Sequence, residues 1–267
     1  MPQPPLFDAH VHSRLSADGR DAVLDLCQAA LERGLAGLTI TDHFDTDPLD
    51  HGYGRYDPDA ICRDVEQARR VFGERLSVLV GAEVCYQPPF ARQIADFLQA
   101  CPLDFALGGV HYVRREYVEA AYFTRRAVEE AYEAYFQAVE QAVQSGLFDC
   151  LAHLDLAKRY APPASGPFDP RRYWEQIERI LRLMIEQGMA LEINTKALRQ
   201  GCTAPFPDEA ILRRYAELGG TRVTIGSDCH KAADLGYRVA WAHDLARSAG
   251  FTHVTRFVQR RPRLYPL

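Results

Sequence analysis

The sequence has no excess of positive charge. Its 267 residues include 31 lysines and arginines against 36 acidic residues, which gives a formal net charge of −5. Proteins that wrap nucleic acid or lie on anionic membranes normally carry a basic surface. We therefore expect neither a nucleic-acid partner nor a membrane partner for this chain.

Long apolar runs, a leader segment and paired cysteines are also missing. No stretch approaches the ~18 apolar residues that a membrane-spanning helix needs. The start Met1-Pro2-Gln3-Pro4-Pro5 has no basic region before an apolar one, so we predict no secretion signal and a cytoplasmic protein. The seven cysteines form no Cys-x-x-Cys pair, which indicates reduced thiols in packing positions.

What the sequence does contain is a regular alternation of apolar runs with segments of helical periodicity. The predicted strands are Pro5–His12, Leu35–His43, Leu76–Tyr86, Phe105–Val113, Cys150–Leu156, Ala190–Thr195 and Thr221–His230. The predicted helices are Asp21–Arg33, Pro58–Phe72, Phe90–Ala100, Arg125–Ser145, Pro170–Gln187, Asp208–Leu218 and Leu235–Ala249. This pattern indicates an α/β fold with a parallel sheet covered by helices. No linker is long enough to divide the chain, so we predict one domain over residues 1–267.

Side chains that can bind metals gather where the predicted strands end. They are His10, His12, Asp18, Asp42, His43, Glu83, His111, His153, Asp155, Asp228 and His230. In α/β barrels the C-terminal ends of the strands form the open mouth that carries the chemistry. Imidazole and carboxylate groups suit zinc, iron and manganese. The candidates are too many for one ion, and they fit two or three.

Spacing strengthens this prediction for some of the candidates and weakens it for others. In His10-x-His12 and Asp228-x-His230, residues two apart on a strand face the same side, so each pair can point at one cavity. We expect Asp42 and Asp155 to orient neighbouring histidines rather than to bind metal. The other three histidines are expected at the surface: His51, His243 and His253. A position at the cavity mouth is left open for His51.

The two cysteines next to candidate ligands are expected to serve in packing. Cys229 alternates with Asp228 and His230, so it should point away from the cavity. Cys85 shares a face with Glu83, but core packing is the expected role of a buried thiol.

These motifs together resemble the polymerase-and-histidinol-phosphatase (PHP) superfamily. The matching runs are Asp8-Ala-His-Val-His-Ser13, Thr41-Asp-His43, Gly81-Ala-Glu83, Gly109-Val-His111, His153-Leu-Asp155 and Gly226-Ser-Asp-Cys-His230. They occur in the expected order over nearly the whole chain. Two further segments are most similar to PHP-type histidinol-phosphate phosphatases: His153–Arg159 and Leu191–Arg199.

The resemblance implies a distorted (β/α)7 barrel, a TIM-like fold, with a centre of three divalent metal ions (Zn, Fe or Mn). It implies that one ion is held by His10, His12, Glu83 and Asp228. Glu83 would bridge to a second ion that is completed by His111 and His153. The third ion would be held by Asp18, His43 and His230. No ligand of the family pattern is missing, so the centre is expected to be active.

The chemistry expected of such a centre is hydrolysis of a phosphate ester. Paired divalent ions activate a water for in-line attack on phosphorus. Asp228 or His230 could protonate the leaving alkoxide, and a water bound to the metal is an equal alternative. Arg159 and Arg199 follow the fifth and sixth strands, where a guanidinium fork can bind two phosphate oxygens. Lys158 and Lys196 are further candidates for phosphate or loop contacts.

The predicted substrate is a small phosphate monoester. The subfamily resemblance implies hydrolysis of L-histidinol phosphate to L-histidinol and phosphate in histidine biosynthesis. One alternative is a PHP phosphoesterase that acts on nucleotides or other small phosphate esters. Another is a metal-binding regulatory or scaffold protein with an inactive centre, which would show itself by lost ligands.

Overall fold

Seven parallel strands form a nearly closed barrel in the computed structural model, which describes residues 5–267. The described residues contain twelve strands in all, inside and outside the barrel: β1 (Phe7–Val11), β2 (Gly37–Ile40), β3 (His43–Phe44), β4 (Ser77–Cys85), β5 (Phe105–Gly109), β6 (Tyr112–Val113), β7 (Glu116–Tyr117), β8 (Cys150–Leu151), β9 (Ala190–Asn194), β10 (Val223–Gly226), β11 (His253–Val258) and β12 (Arg261–Pro266). The barrel follows the order β1-β2-β4-β5-β8-β9-β10, and β3 pairs with β4 beyond the end of β2. The predicted distorted (β/α)7 barrel is thus confirmed.

The barrel closes between its last and first strands. The Asp228 backbone N–H donates to the His10 carbonyl at 2.9 Å, and the His12 N–H donates to the Cys229 carbonyl at 2.9 Å. Asp8 reinforces this seam, because its carboxylate accepts hydrogen bonds from the Ser227 backbone N–H and hydroxyl. The closure therefore places the segment after β10 directly beside the end of β1.

Nine helices cover the described part of the barrel. They are α1 (Val23–Glu32), α2 (Pro58–Phe72), α3 (Ala91–Ala100), α4 (Ala120–Thr124), α5 (Val128–Gln144), α6 (Trp174–Gln187), α7 (Lys196–Arg199), α8 (Glu209–Glu217) and α9 (Val239–Ser248). Helix α2 has the predicted bounds, because the Asp57 side chain accepts a hydrogen bond from Ala60 N–H at its start and Gly73 follows its end. No helix in residues 5–267 is both long and apolar enough to cross a membrane.

The prediction of a strand over Cys150–Leu156 is too long, because the backbone turns after Leu151. His153 has a positive φ of 24°, and a short 3₁₀ helix follows at Leu156–Arg159. The last helix was predicted to begin at Leu235, but in the structure it begins four residues later, at Val239. The short helices α4 and α7 and the β6–β7 hairpin were not predicted, since segments of two to five residues are too short for a periodic signal.

The C-terminal hairpin of β11 and β12 was also missed. Its residue Phe257 packs into the base of the barrel, where its ring stacks on Phe105 at a centroid distance of 5.3 Å. Phe7 and Leu79, from the first half of their strands, belong to the same apolar cluster. The hairpin thus covers the end of the barrel that lies opposite the strand C-termini.

The prediction of a surface position is wrong for His243. This residue is only 2% exposed, and it lies on the inner face of α9 with Val239, Ala242 and Ala246. Its spacing from those apolar residues matches one face of a helix, which is the signal that the prediction overlooked. The prediction about a leader segment rests on residues 1–5, and residues 1–4 lie outside the described part of the chain.

Candidate metal centre

All nine predicted metal ligands converge at the C-terminal ends of the barrel strands. Seven of them line a cavity of about 1010 Å³: Asp18, His43, Glu83, His111, His153, Asp228 and His230. The other two, His10 and His12, are fully buried beside them. The ligands come from six different strands or from the loops that follow them, so the fold itself assembles the group.

The first group surrounds one oxygen of Glu83. Its Oε2 lies 3.1 Å from His10 Nε2 and 3.3 Å from His12 Nε2. Asp228 Oδ1 lies 3.5 Å from His12 Nε2 and 3.9 Å from His10 Nε2. Ligand atoms that share one tetrahedral zinc ion lie about 3.3 Å apart, given zinc–ligand distances of about 2.0–2.1 Å. These four side chains therefore have the spacing of one metal site.

The second group uses the other oxygen of Glu83. Its Oε1 lies 2.8 Å from His153 Nε2 and 3.3 Å from His111 Nε2. The two imidazole nitrogens are 3.4 Å apart. Glu83 thus presents one oxygen to each group, so its carboxylate would be shared between the two groups if each held an ion.

The third group lies nearest to the cavity mouth. Asp18 Oδ2 is 2.7 Å from His230 Nε2 and 3.7 Å from His43 Nε2. The ring of His230 stacks on that of His12 at a centroid distance of 4.2 Å. Asp18 leaves half of its side chain exposed, so this group is open to solvent on one side.

The donor set of these three groups fits divalent cations. Imidazole nitrogens, once deprotonated, and carboxylate oxygens both present lone pairs, and one divalent cation could bind several of them together. Burial would raise the pKa of Glu83, but His43 and His10 hold that pKa well below its usual range. Burial acts on Asp228 too, and there Lys196 and His10 hold the pKa well below its usual range. Both carboxylates are therefore ionised.

Glu192 on β9 orients the innermost histidine, a role that was not predicted from the sequence. Its Oε1 accepts a hydrogen bond from His10 Nδ1 at 2.6 Å, which leaves His10 Nε2 free for a metal. Its Oε2 accepts from the His153 backbone N–H at 2.9 Å and from Asn194 Nδ2 at 3.1 Å. Two polar residues at alternate positions of an otherwise apolar strand were the available signal.

Asp42 and Asp155 do not orient histidines, so that prediction is wrong. Asp42 accepts from the backbone N–H of Ser13 at 2.5 Å and from its hydroxyl at 2.7 Å. Asp155 accepts from Lys158 Nζ and from the Asp208 N–H, both at 2.8 Å. The chain turns directly after the strand ends, and these carboxylates satisfy the polar groups of the turns instead.

Lys196, the first residue of α7, lies against the candidate metal ligands. Its Nζ lies 2.7 Å from Asp228 Oδ1 and 3.5 Å from His230 Nε2. Lys158 has a different place: it donates to Asp155 and to the Pro205 carbonyl at 2.5 Å, which is a loop contact. Lys196 therefore contacts the candidate metal ligands, whereas Lys158 makes only the predicted kind of loop contact.

Arg159 and Arg199 both line the cavity, as their predicted role requires. Arg199 donates to the carbonyls of Ser227 at 3.3 Å and Asp228 at 3.1 Å, and its Nε lies 3.3 Å from Asp234. The guanidinium of Arg159 lies over the ring of Tyr160, 4.9 Å from its centroid. Arg199 thus braces the segment that carries Asp228, while Arg159 is the less engaged of the two.

The remaining predictions concern one histidine and two cysteines. His51 lines the cavity, which settles the position that the sequence left open. Cys229 belongs to the main apolar core, as predicted. Cys85 is buried, and it lies against His111.

Comparison with known proteins agrees with this geometry. The family model of the PHP domain matches residues 8–196. The chain belongs to the PHP domain family. It is 31% identical to a probable histidinol-phosphatase of Deinococcus radiodurans, over 94% of this chain and 96% of that protein. It is 26% identical to the histidinol-phosphatase of Lactococcus lactis, over 94% of each chain.

The fold also matches a solved member of the PHP family over almost its whole length. This is the crystal structure of histidinol phosphate phosphatase from Lactococcus lactis complexed with zinc, L-histidinol and phosphate. The TM-score is 0.89 at 26% identity, and the match covers 97% of this chain and 98% of that one. The same kind of barrel is therefore found complexed with zinc, L-histidinol and phosphate in a relative.

Proposed function

We propose that this PHP-family chain is a metal-dependent histidinol-phosphatase, which hydrolyses L-histidinol phosphate to L-histidinol and phosphate in histidine biosynthesis. The observation that carries the proposal is the convergence of nine histidine and carboxylate side chains, seven of which line one cavity while the other two are buried beside it. Full-length similarity to relatives named histidinol-phosphatase supports the choice of substrate. A net charge of −5 argues against nucleic acid and leaves a small molecule as the preferred substrate.

We propose further that the centre holds three divalent ions, as the family resemblance implies, and that residues 1–267 form one phosphoesterase domain. Zinc is the first candidate, because the Lactococcus relative was crystallised with it. Iron and manganese suit the same donor set. The nine ligands run from His10 to His230, so the proposed centre needs nearly the whole chain.

When bound, the divalent ions would supply an activated water and would neutralise charge on the phosphate oxygens. The chain itself provides the rest. Glu83 and Asp228 are ionised and fixed by the histidines around them. Arg159 and Arg199 are proposed to bind the phosphate from the cavity wall, and Lys196 adds a positive charge close to Asp228.

Asp228 and His230 are the two predicted proton donors to the leaving alkoxide. Burial, together with His12 and Lys196, lowers the pKa of His230 to about 4. A His230 side chain that is deprotonated near pH 7 is suited to bind a metal rather than to donate a proton. This setting favours metal ligation as their main role, with water as the source of the proton.

A substrate panel tests the proposed function. We expect the purified protein to hydrolyse L-histidinol phosphate with a higher kcat/KM than nucleotide monoesters, nucleotide diesters or p-nitrophenyl phosphate. His111→Gln should abolish this activity, because it removes a ligand from the second group. His253→Gln is the matched control, since His253 lies on the hairpin β11–β12 and should retain activity. A clear preference for a nucleotide ester would refute the proposal.

A further inference from the structure

Lys158 is almost enclosed by protein, although its neighbour Arg159 lines the cavity. Only 7% of the Lys158 side chain is exposed. Its ammonium group donates to Asp155 Oδ2 at 2.8 Å and to the Pro205 carbonyl at 2.5 Å. The same ammonium lies over the ring of Phe206, 5.2 Å from its centroid. These three partners match the three N–H groups of an ammonium ion, so the site suits one compact positive charge.

Asp155 is the buried partner of this ammonium. Its side chain is fully buried, and Oδ2 also accepts a hydrogen bond from the Asp208 N–H at 2.8 Å. Burial raises the pKa of Asp155, and Lys158 is the largest influence that opposes this rise. Within residues 5–267, Lys158 is the cation that forms an ion pair with Asp155. Because removal of one partner of a buried pair is costly, this contact is a far stronger constraint than an ion pair at the surface.

The buried ion pair joins two loops at the mouth of the barrel. One is the turn after β8, which carries Arg159. The other is the segment Pro205–Asp208, which leads into α8. Within that segment, Phe206 exchanges two backbone hydrogen bonds with Asn194 at the end of β9, at 2.6 and 3.0 Å. The ion pair therefore fixes the turn after β8 to the end of the neighbouring strand.

Arg159 has no comparable anchor of its own. Its guanidinium lies over the ring of Tyr160, and no carboxylate within residues 5–267 forms an ion pair with it. Lys158 and Arg159 are the last two residues of the 3₁₀ turn Leu156–Arg159. In a 3₁₀ helix with three residues per turn, consecutive side chains point about 120° apart. Because Lys158 is anchored in the protein, Arg159 is directed to another side of the turn, and it reaches the cavity.

We propose that Lys158, through its buried pair with Asp155, is a positioning residue that holds Arg159 at the cavity wall for the substrate phosphate. The inference rests on the proposed function, in which Arg159 binds that phosphate. Lys158 itself takes no part in the phosphate contact, since all three of its N–H groups already have partners. A planar guanidinium does not match this arrangement, which accounts for a lysine here in a chain where only three of the 31 basic residues are lysines.

A double-mutant cycle in Lys158 and Arg159 tests the inference. We expect Arg159→Ala to raise both the KM for L-histidinol phosphate and the Ki for inorganic phosphate by about 10–100-fold, as for a lost hydrogen bond between charged groups. Lys158→Met should raise both constants by about 10-fold and leave kcat within about twofold. In the Arg159→Ala background, Lys158→Met should change either constant by less than about twofold, because no guanidinium is left to be positioned.

Two measurements distinguish positioning from a general loss of structure. Zinc affinity in Lys158→Met, determined against a competing chelator, should equal that of the wild type, because the turn that bears His153 keeps its fold. Arg182→Met is the matched control: Arg182 pairs with Glu178 at 3.5 Å on the exposed side of α6, so both constants should stay at their wild-type values.

A second variant covers the case in which Lys158→Met does not fold. Asp155→Asn combined with Lys158→Met leaves no unpaired buried charge, and the amide oxygen can still accept the hydrogen bond from the Asp208 N–H. This double substitution takes the place of Lys158→Met in the cycle, with the same expected values.

The outcomes separate this inference from the proposed function. Equal rises in KM with and without Arg159 would overturn the inference, because Lys158 would then act independently of Arg159. An unchanged Ki for phosphate in either single variant, or weaker zinc binding in Lys158→Met, would overturn it as well. All of these results leave the wild-type activity intact, whereas a wild-type protein that does not hydrolyse L-histidinol phosphate would refute the proposed function itself.

Discussion

Glu192 shows how a single residue can control a metal ligand without facing the metal. It accepts the Nδ1 hydrogen of His10 and two further hydrogen bonds on its other oxygen. The tautomer and the ring orientation of His10 both depend on this carboxylate. Glu192 is therefore a positioning residue for the first metal-binding group.

We predict that Glu192→Gln weakens zinc binding by about 10–100-fold. In this variant the amide oxygen can accept the hydrogen bond from His10 Nδ1. The amide NH₂ then faces two other donors, the His153 N–H and Asn194 Nδ2, and it cannot accept a hydrogen bond from either. Zinc affinity is measured by titration against a competing chelator. Saturating zinc should restore most of the activity, because the variant retains all nine ligands.

Glu130→Gln is the matched control for that prediction, because Glu130 is exposed on α5. It should bind zinc like the wild type. An unchanged zinc affinity in Glu192→Gln would show that His10 does not need its partner. A loss that excess zinc fails to restore would assign a structural role to Glu192.

The sequence predicted which side chains converge at the cavity, but it did not predict the residues that hold them in place. The spacing in His10-x-His12 and Asp228-x-His230 predicts that each pair faces the same cavity, because residues two apart on a strand lie on one side. Glu192 meets His10 across the barrel, 182 positions away, and no spacing rule connects them.

At the scale of elements, the C-terminal hairpin of β11 and β12 covers the base of the barrel, away from the metal-binding groups. Phe257 is buried against Phe105, whereas Leu264 on the opposite strand is 58% exposed. The strands of the barrel were predictable because their runs are long and apolar. The hairpin was not, because β12 carries Arg261, Arg263 and two prolines and is mostly exposed.

We predict that Phe257→Ala lowers the free energy of unfolding by about 3–5 kcal/mol, since it leaves a cavity in the base of the barrel. Thermal or denaturant unfolding measures this change. Leu264→Ala is the control on the partner strand and should cost much less. At temperatures where the variant is folded, kcat/KM for L-histidinol phosphate should stay close to the wild-type value. A loss of activity in the folded variant would contradict the separation of the hairpin from the site.

At the scale of the whole molecule, the net charge of the sequence does not describe the charge at the cavity. The net charge of −5 counts Asp18, Glu83 and Asp228 as ordinary carboxylates. Three divalent ions would more than offset that charge, and all of it would lie at the cavity. An acidic protein can thus present a positive site to an anionic substrate.

The most direct test of the account is zinc titration of the metal-stripped protein with L-histidinol phosphate as the substrate. We predict no hydrolysis after removal of the metal, and recovery of activity as the chain takes up three equivalents of zinc. The fold should persist throughout, as judged by circular dichroism. Hydrolysis of L-histidinol phosphate at the full rate by the metal-free protein would contradict the account.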